Sequence, residues 1–157
     1  MKYIFWILMV SIAHASPNTD EIFPAGCKPL EVKSELVSLS AIKPTIVMIH
    51  NVSQFDLWIT HPLSEPNASA GWSSHLQIGN WSALALDKKA FDLSCIESRP
   101  GHEQQVHCSG LLSICQWPEA KTEKNEAGTF WVGEDMILSA LMAHIGSRGF
   151  VLPAAAQ

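Results

Sequence analysis

Four cysteines, Cys27, Cys95, Cys108 and Cys115, constrain this chain more than any other feature, because their even number and their positions read as two disulfides. The first fifteen residues supply the compartment that such bonds need. Lys2 precedes an apolar run from Tyr3 to Ala13, and the segment closes on Ala13-His14-Ala15, which is the order of a secretory signal peptide. The apolar run falls short of the about 20 residues that span a bilayer. Residues 1–15 are therefore expected to be a signal peptide and residues 16–157 a single secreted β-rich domain, in the periplasm or outside the cell, without stable membrane insertion. A mature length of about 140 residues suits one core.

The strand signals assign the bridges. Phe91, Leu93 and Cys95 alternate with Asp92 and Ser94, and after Arg99-Pro100-Gly101 the chain returns with Val106 and Cys108 alternating against Gln105 and His107. Setting Cys95 opposite Cys108 puts Phe91, Leu93, Cys95, Val106 and Cys108 on one buried face. The pairing Cys95–Cys108 leaves Cys27–Cys115 as a long-range staple. A loop the size of the first contributes about 3 kcal/mol, and the longer loop somewhat more. Zinc is the competing use of cysteine, but no C-x-x-C pair occurs and exported thiols are not kept reduced. No metal site and no cofactor are expected.

The rest of the chain also reads as β. Pro44 to His50 is apolar on both faces and should be a central strand covered on both sides. Asn51-Val52-Ser53-Gln54 turns it into Phe55 to Thr60, a first hairpin. His61 to Gly71 is a loop. Trp72 to Ile78 and Trp81 to Asp87 flank Gly79-Asn80, a dipeptide suited to a tight turn, which predicts a second hairpin. Leu111 to Trp117 is another strand, stopped by Pro118. Pro118 to Ala127, rich in Glu and Lys, reads as an exposed mobile loop that serves solubility. Thr129 to Gly133 is a short strand, Asp135 caps a helix over 136–145 that ends at Gly146, and Phe150 to Leu152 is a last strand. Glu31 to Leu39 fits either a helix or an edge strand. The expected fold is mainly β, an antiparallel β-sandwich with one C-terminal helix, stapled by disulfides.

Charge and motifs exclude more than they select. Fifteen acidic residues against ten basic ones, a formal net charge of −5, and no basic cluster beyond Lys88-Lys89 argue against nucleic acid and anionic lipid as partners. His102-Glu103-Gln104-Gln105-Val106 begins like a zincin helix, but Val106 stands where the second histidine is needed. No G-x-S-x-G elbow, glycine-rich phosphate loop or calcium loop occurs. His50, His61, His75, His102, His107 and His144 are scattered and read as surface or hydrogen-bonded structural histidines. Glu97 and Glu103 face each other across the Cys95–Cys108 hairpin, and a solvated turn explains them better than general acid and base. No catalytic residue is assigned.

Trp58, Trp72, Trp81, Trp117 and Trp131 read mainly as core. Trp58 and Trp72, beside the loop and among polar neighbours, are the pair expected at the surface and the candidate residues for binding a partner or a carbohydrate. Asn51-Val52-Ser53, Asn67-Ala68-Ser69 and Asn80-Trp81-Ser82 match the glycosylation acceptor pattern, with Asn placed there because turns tolerate it.

Several longer words carry a resemblance. They are Ile49-His50-Asn51 with Leu57-Trp58-Ile59-Thr60-His61-Pro62, Ala70-Gly71-Trp72-Ser73-Ser74, Gly79-Asn80-Trp81-Ser82-Ala83-Leu84-Ala85-Leu86-Asp87-Lys88-Lys89, and Leu93-Ser94-Cys95. Pro100-Gly101-His102-Glu103-Gln104-Gln105, Cys115-Gln116-Trp117, Gly128-Thr129-Phe130-Trp131-Val132 and Arg148-Gly149-Phe150-Val151-Leu152-Pro153 continue them. In these words the chain resembles the enhanced-entry protein B (EnhB) family of intracellular gammaproteobacterial pathogens, over most of its length after residue 45 and not over residues 16–44. The resemblance implies an exported, non-enzymatic binding or accessory factor in bacterial entry into host cells, with an envelope or host-surface protein or glycan as partner. It carries over no catalytic residue. The alternative is an envelope enzyme or enzyme inhibitor acting on peptidoglycan or another glycan.

Overall fold

A computed structural model describes residues 23–62, 73–122 and 128–153. The expected signal peptide, Trp72, the Asn67 acceptor pattern, most of the loop before Ser73 and residues 123–127 lie outside the described residues. In chain order the elements are β1 (Lys28–Leu30), β2 (Leu36–Leu39), β3 (Thr45–Asn51), β4 (Leu57–Thr60), β5 (Ser73–Leu76), β6 (Trp81–Leu86) and β7 (Phe91–Glu97). They continue with β8 (Gln105–Val106), β9 (Leu112–Pro118), β10 (Lys121–Thr122), β11 (Phe130–Met136), α1 (Leu138–Ser147) and β12 (Phe150–Val151).

The strands form two antiparallel sheets. The first runs β1-β9-β3-β6-β11, and the second runs β2-β7-β4-β5 with β8 added on β7. Between them lie Val47, Ile49, Leu84, Leu86 and Ile114 from the first sheet against Val37, Leu39, Leu57, Ile59, Leu76 and Leu93 from the second. The alternate residues of the first sheet, Ile46, Met48, Ala83, Ala85 and Trp117, point the other way. They are buried with Leu141 and Ile145 of α1, and with Phe150 and Cys27. This second core explains why β3 is apolar on both faces, as its sequence requires. The segment from Glu31 to Leu39, open between helix and strand in the sequence, becomes edge strand β2 at its end.

Both disulfides form as expected. Cys27–Cys115 has a Cα–Cα distance of 5.5 Å and a sequence separation of 88, and Cys95–Cys108 has values of 5.4 Å and 13. The hairpin register differs from expectation, because Cys95 pairs with Val106 instead of Cys108. Cys108 is then the diagonal neighbour of Cys95, still close enough to bridge.

Both proposed early hairpins are arches. β3 pairs with β6 and β9, whereas β4 pairs with β5 and β7, so the Asn51 turn carries the chain from one sheet to the other. Asn51 is buried there and donates from Nδ2 to the carbonyls of Phe55 and Leu76, at 3.0 and 2.9 Å, while its Oδ1 accepts from the Ser53 amide at 3.0 Å. Those bonds replace ladder bonds and hold the corner. They also make Asn51 unfit as a glycan acceptor. Gly79-Asn80 does make a tight turn, with Gly79 at φ 75° and the Asn80 amide donating to the Gln77 carbonyl, but it too crosses between sheets.

Three further corrections concern the C-terminal third. Part of the charged stretch after Pro118 is strand β10, which pairs with β12 through Lys121↔Val151 and Thr122↔Phe150. β11 extends to Met136, so Asp135 lies in a strand and caps nothing; the helix starts after Ile137 with no side-chain cap. Its end lies beyond Gly146, at Ser147, and Gly149, at φ 86°, makes the left-handed exit with its amide donating to the Gly146 carbonyl.

Candidate functional site

The first sheet has its outer face covered, whereas no element among the described residues covers that of the second. On the outer side of the second sheet the alternation places Trp58 in β4 between His75 in β5 and Ile96 in β7, as antiparallel partners. Trp58 stays 38% exposed, which agrees with its expected surface position. Its ring meets the His75 ring edge-on, with centroids 4.9 Å apart. Further along the same face Thr60 and Ser94 share a hydroxyl hydrogen bond of 2.7 Å.

His75 is the hub of the patch. Its Nε2 lies 3.1 Å from Ser98 Oγ and 3.9 Å from Asp56 Oδ2, and its Nδ1 faces Asp135 Oδ2 at 3.8 Å. Three separate segments deliver these groups: the arch before β4, the end of β11, and the residue after β7. Asp56 is fixed by its Oδ1, which accepts from the Ile78 amide at 3.1 Å, and by its carbonyl, which accepts from the Ser98 amide at 2.9 Å. That second bond also fixes Ser98.

Asp135 is held more tightly still. Its Oδ1 accepts from the Gln77 amide at 2.8 Å and from Asn80 Nδ2 at 2.9 Å, and its Oδ2 accepts from Gln77 Nε2 at 2.9 Å. The backbone of Asp135 is left-handed, at φ 51°, an uncommon conformation for a residue other than glycine. Partial burial works against its charge, but the bonds from Gln77 and Asn80, with the nearby His75, outweigh that and hold the carboxyl below the usual carboxylate range. The bonds also tie the edge of the first sheet to the β5–β6 corner. Asn80 is thus engaged and, like Asn51, is no open glycan acceptor.

The other polar candidates are not drawn into this patch. Glu97 is a buried carboxylate that points toward the core side of β7, where the Arg99 side chain pairs with it. The hydrogen bond and charge of Glu97 raise the proton affinity of the Arg99 guanidinium, which also lies 5.7 Å from the Phe55 ring. Glu103, exposed at the turn, accepts from the Gly101 amide at 3.1 Å. Each acid has its own local partner, so this is not a matched acid and base in a cleft. His107 lies 3.5 Å from Glu35 at the surface, and His50 stacks on Trp81 at 4.2 Å. Among the described residues no three His, Cys, Asp or Glu side chains could hold a metal ion, and no helix is long and apolar enough to cross a membrane.

Sequence reasoning missed His75, Ser98, Asp56 and Asp135 as a group. Its hairpins set β4 against β3, which hides the Trp58↔His75 pairing, and its helix cap gave Asp135 a different task. Pairing the Phe55–Thr60 strand with the one that carries His75 is what brings Trp58 and His75 together, and no local sequence signal selects it. No protein-family model, curated protein or solved structure matches the chain.

Proposed function

We propose that the chain is an exported accessory factor in bacterial entry into host cells that acts by binding, with the outer face of the second sheet around Trp58 as its contact surface. The observation that carries this reading is the exposed Trp58 ring on a sheet face whose neighbours, His75, Asp56 and Ser98, are fixed by hydrogen bonds. A rigid aromatic with ordered polar neighbours is a common anchor of protein and glycan contacts, because little entropy is lost on binding. The two disulfides support an oxidising location outside the cytoplasm. The words that resemble the enhanced-entry proteins point to the process, and the expected signal peptide points to the route.

The test is host-cell entry by a deletion strain that expresses Trp58→Ala at a folded level equal to wild type. Loss of an interface anchor costs about 2 kcal/mol or more, so entry should fall toward that of the deletion. Entry equal to wild type, with the deletion itself impaired, would overturn the assignment of this face. An envelope enzyme acting on peptidoglycan or another glycan is the second reading, and one observation favours it: the His75 imidazole has the Ser98 hydroxyl at one ring nitrogen and the Asp135 carboxylate near the other. Turnover of purified peptidoglycan by the oxidised chain tests that reading.

A further inference from the structure

The patch contains an order of groups that a binding surface does not require. Ser98 Oγ is within hydrogen-bond reach of His75 Nε2, at 3.1 Å, while the opposite ring nitrogen faces a carboxylate oxygen of Asp135 at 3.8 Å. With Nδ1 carrying the hydrogen toward Asp135, Nε2 is free to accept the serine proton, which is the division of labour that activates a hydroxyl. The contact to Asp135 is longer than a hydrogen bond, and contacts of this kind tighten when substrate enters.

Two more observations support a working relay. Asp135 keeps its negative charge through three amide donors and holds a left-handed backbone, and strain of that sort collects where the surroundings fix a functional group. Asp56 Oδ2, 3.9 Å from Nε2, adds a second carboxylate that would stabilise the imidazolium formed during reaction. The two carboxylates repel anionic substrates, and the nearby Arg99 charge is matched by Glu97. Trp58 provides an apolar wall beside the imidazole.

We propose that Ser98 is a nucleophile for acyl transfer from uncharged carboxylic esters, with His75 as its general base and Asp135 as a positioning residue. This goes beyond the binding reading, and of the second reading it keeps only the enzyme, acting on neutral ester groups. Ser98 Oγ attacks the ester carbonyl carbon while its proton passes to His75 Nε2. The ester C–O bond breaks, and the departing alkoxide takes that proton and leaves as the alcohol. Water then attacks the acyl-serine, gives a proton to Nε2, and Ser98 leaves with that proton, releasing the carboxylic acid.

The experiment is incubation of the oxidised chain with an uncharged fluorophosphonate ester, read by intact mass and peptide mapping. The expected result is one phosphonyl adduct, on Ser98, with release of fluoride. It should be absent from Ser98→Ala, absent from unfolded wild type, and slowed about 100-fold or more in His75→Gln. Asp135→Asn should slow labelling and shift its pH profile to lower pH, since losing a carboxylate makes the imidazolium less stable; a purely structural defect would scale the rate equally at every pH. No adduct on the folded wild type would overturn the relay, as would a Ser98 adduct formed equally fast by His75→Gln or by unfolded protein. Labelling without turnover of peptidoglycan supports the relay and removes only the glycan substrate. Because Trp58 borders both the contact surface and the imidazole, entry by Ser98→Ala at equal folded abundance separates the binding role from the relay.

Discussion

The outer faces of the two sheets have opposite fates. That of the first sheet carries Ile46, Met48, Ala83, Ala85 and Trp117 and is closed by α1, by Phe150 and by the Cys27–Cys115 strap. That of the second carries Trp58, Thr60, His75, Ser94 and Ile96 and has no covering element among the described residues. Closing a face needs apolar side chains on both layers, and the second sheet offers polar ones, Thr60, His75 and Ser94, beside Trp58 and Ile96. Beyond the core shared between the sheets, a second core therefore lies on one side of the sandwich and an exposed polar cluster on the other, and substitutions should separate along that line.

The largest effect is expected at the covered face. Replacing both Cys27 and Cys115 by Ala opens a loop of 88 residues and should cost about 4 to 5 kcal/mol, measured by denaturant unfolding of the oxidised protein. Leu141→Ala, at a fully buried helix position, should cost about 2 to 5 kcal/mol in the same assay. Gly133→Ala tests the fit of helix on sheet, because an added Cβ would stand 2.6 Å from Leu141 Cδ1 and 3.1 Å from His144 Cδ2, so that these packed side chains must shift, costing about 1 to 3 kcal/mol. If these three were as mild as changes on the open face, the contrast would fail.

Asp135, at the seam between the sheets, gives an intermediate effect with a sign set by its depressed pKa. A carboxyl whose folded pKa lies below its unfolded value stabilises fully above the unfolded value and loses that contribution as pH falls through the folded one. Thermal midpoints measured downward from pH 5 should therefore drop more steeply for wild type than for Asp135→Asn. The smallest effect on stability is expected for Trp58→Ala, within about 1 kcal/mol of wild type, because the ring is already part-exposed.

The two buried cores were more legible in the sequence than the open face. Apolar residues at every position from Ile46 to Ile49 announce a strand buried twice, and Cys95 with Cys108 announces a bridged hairpin, even though the true register is two residues off. Which sheet each strand enters was not legible, since Asn51 and Gly79-Asn80 carry the same turn signals whether the chain folds back on itself or crosses the sandwich. Only long-range packing decides between the two, and it sends β3 and β4 to different sheets. The same holds for the open face: His75, Asp56, Ser98 and Asp135 meet through pairings that local patterns do not encode. Asp135 before an amphipathic run has the local chemistry of a helix cap, yet its carboxylate is claimed by Gln77 and Asn80 across the corner.

Ile96→Arg puts the open face to the most direct test. Ile96 stands next to Trp58 on the outer side of β7, so the arginine adds bulk and charge to that face while leaving the inward-facing core of the strand untouched. Host-cell entry should be measured with wild-type and variant chains at equal folded abundance. The expected result is entry reduced to the level of a deletion strain with the unfolding midpoint nearly unchanged. Entry equal to wild type would contradict the claim that function resides on the outer face of the second sheet.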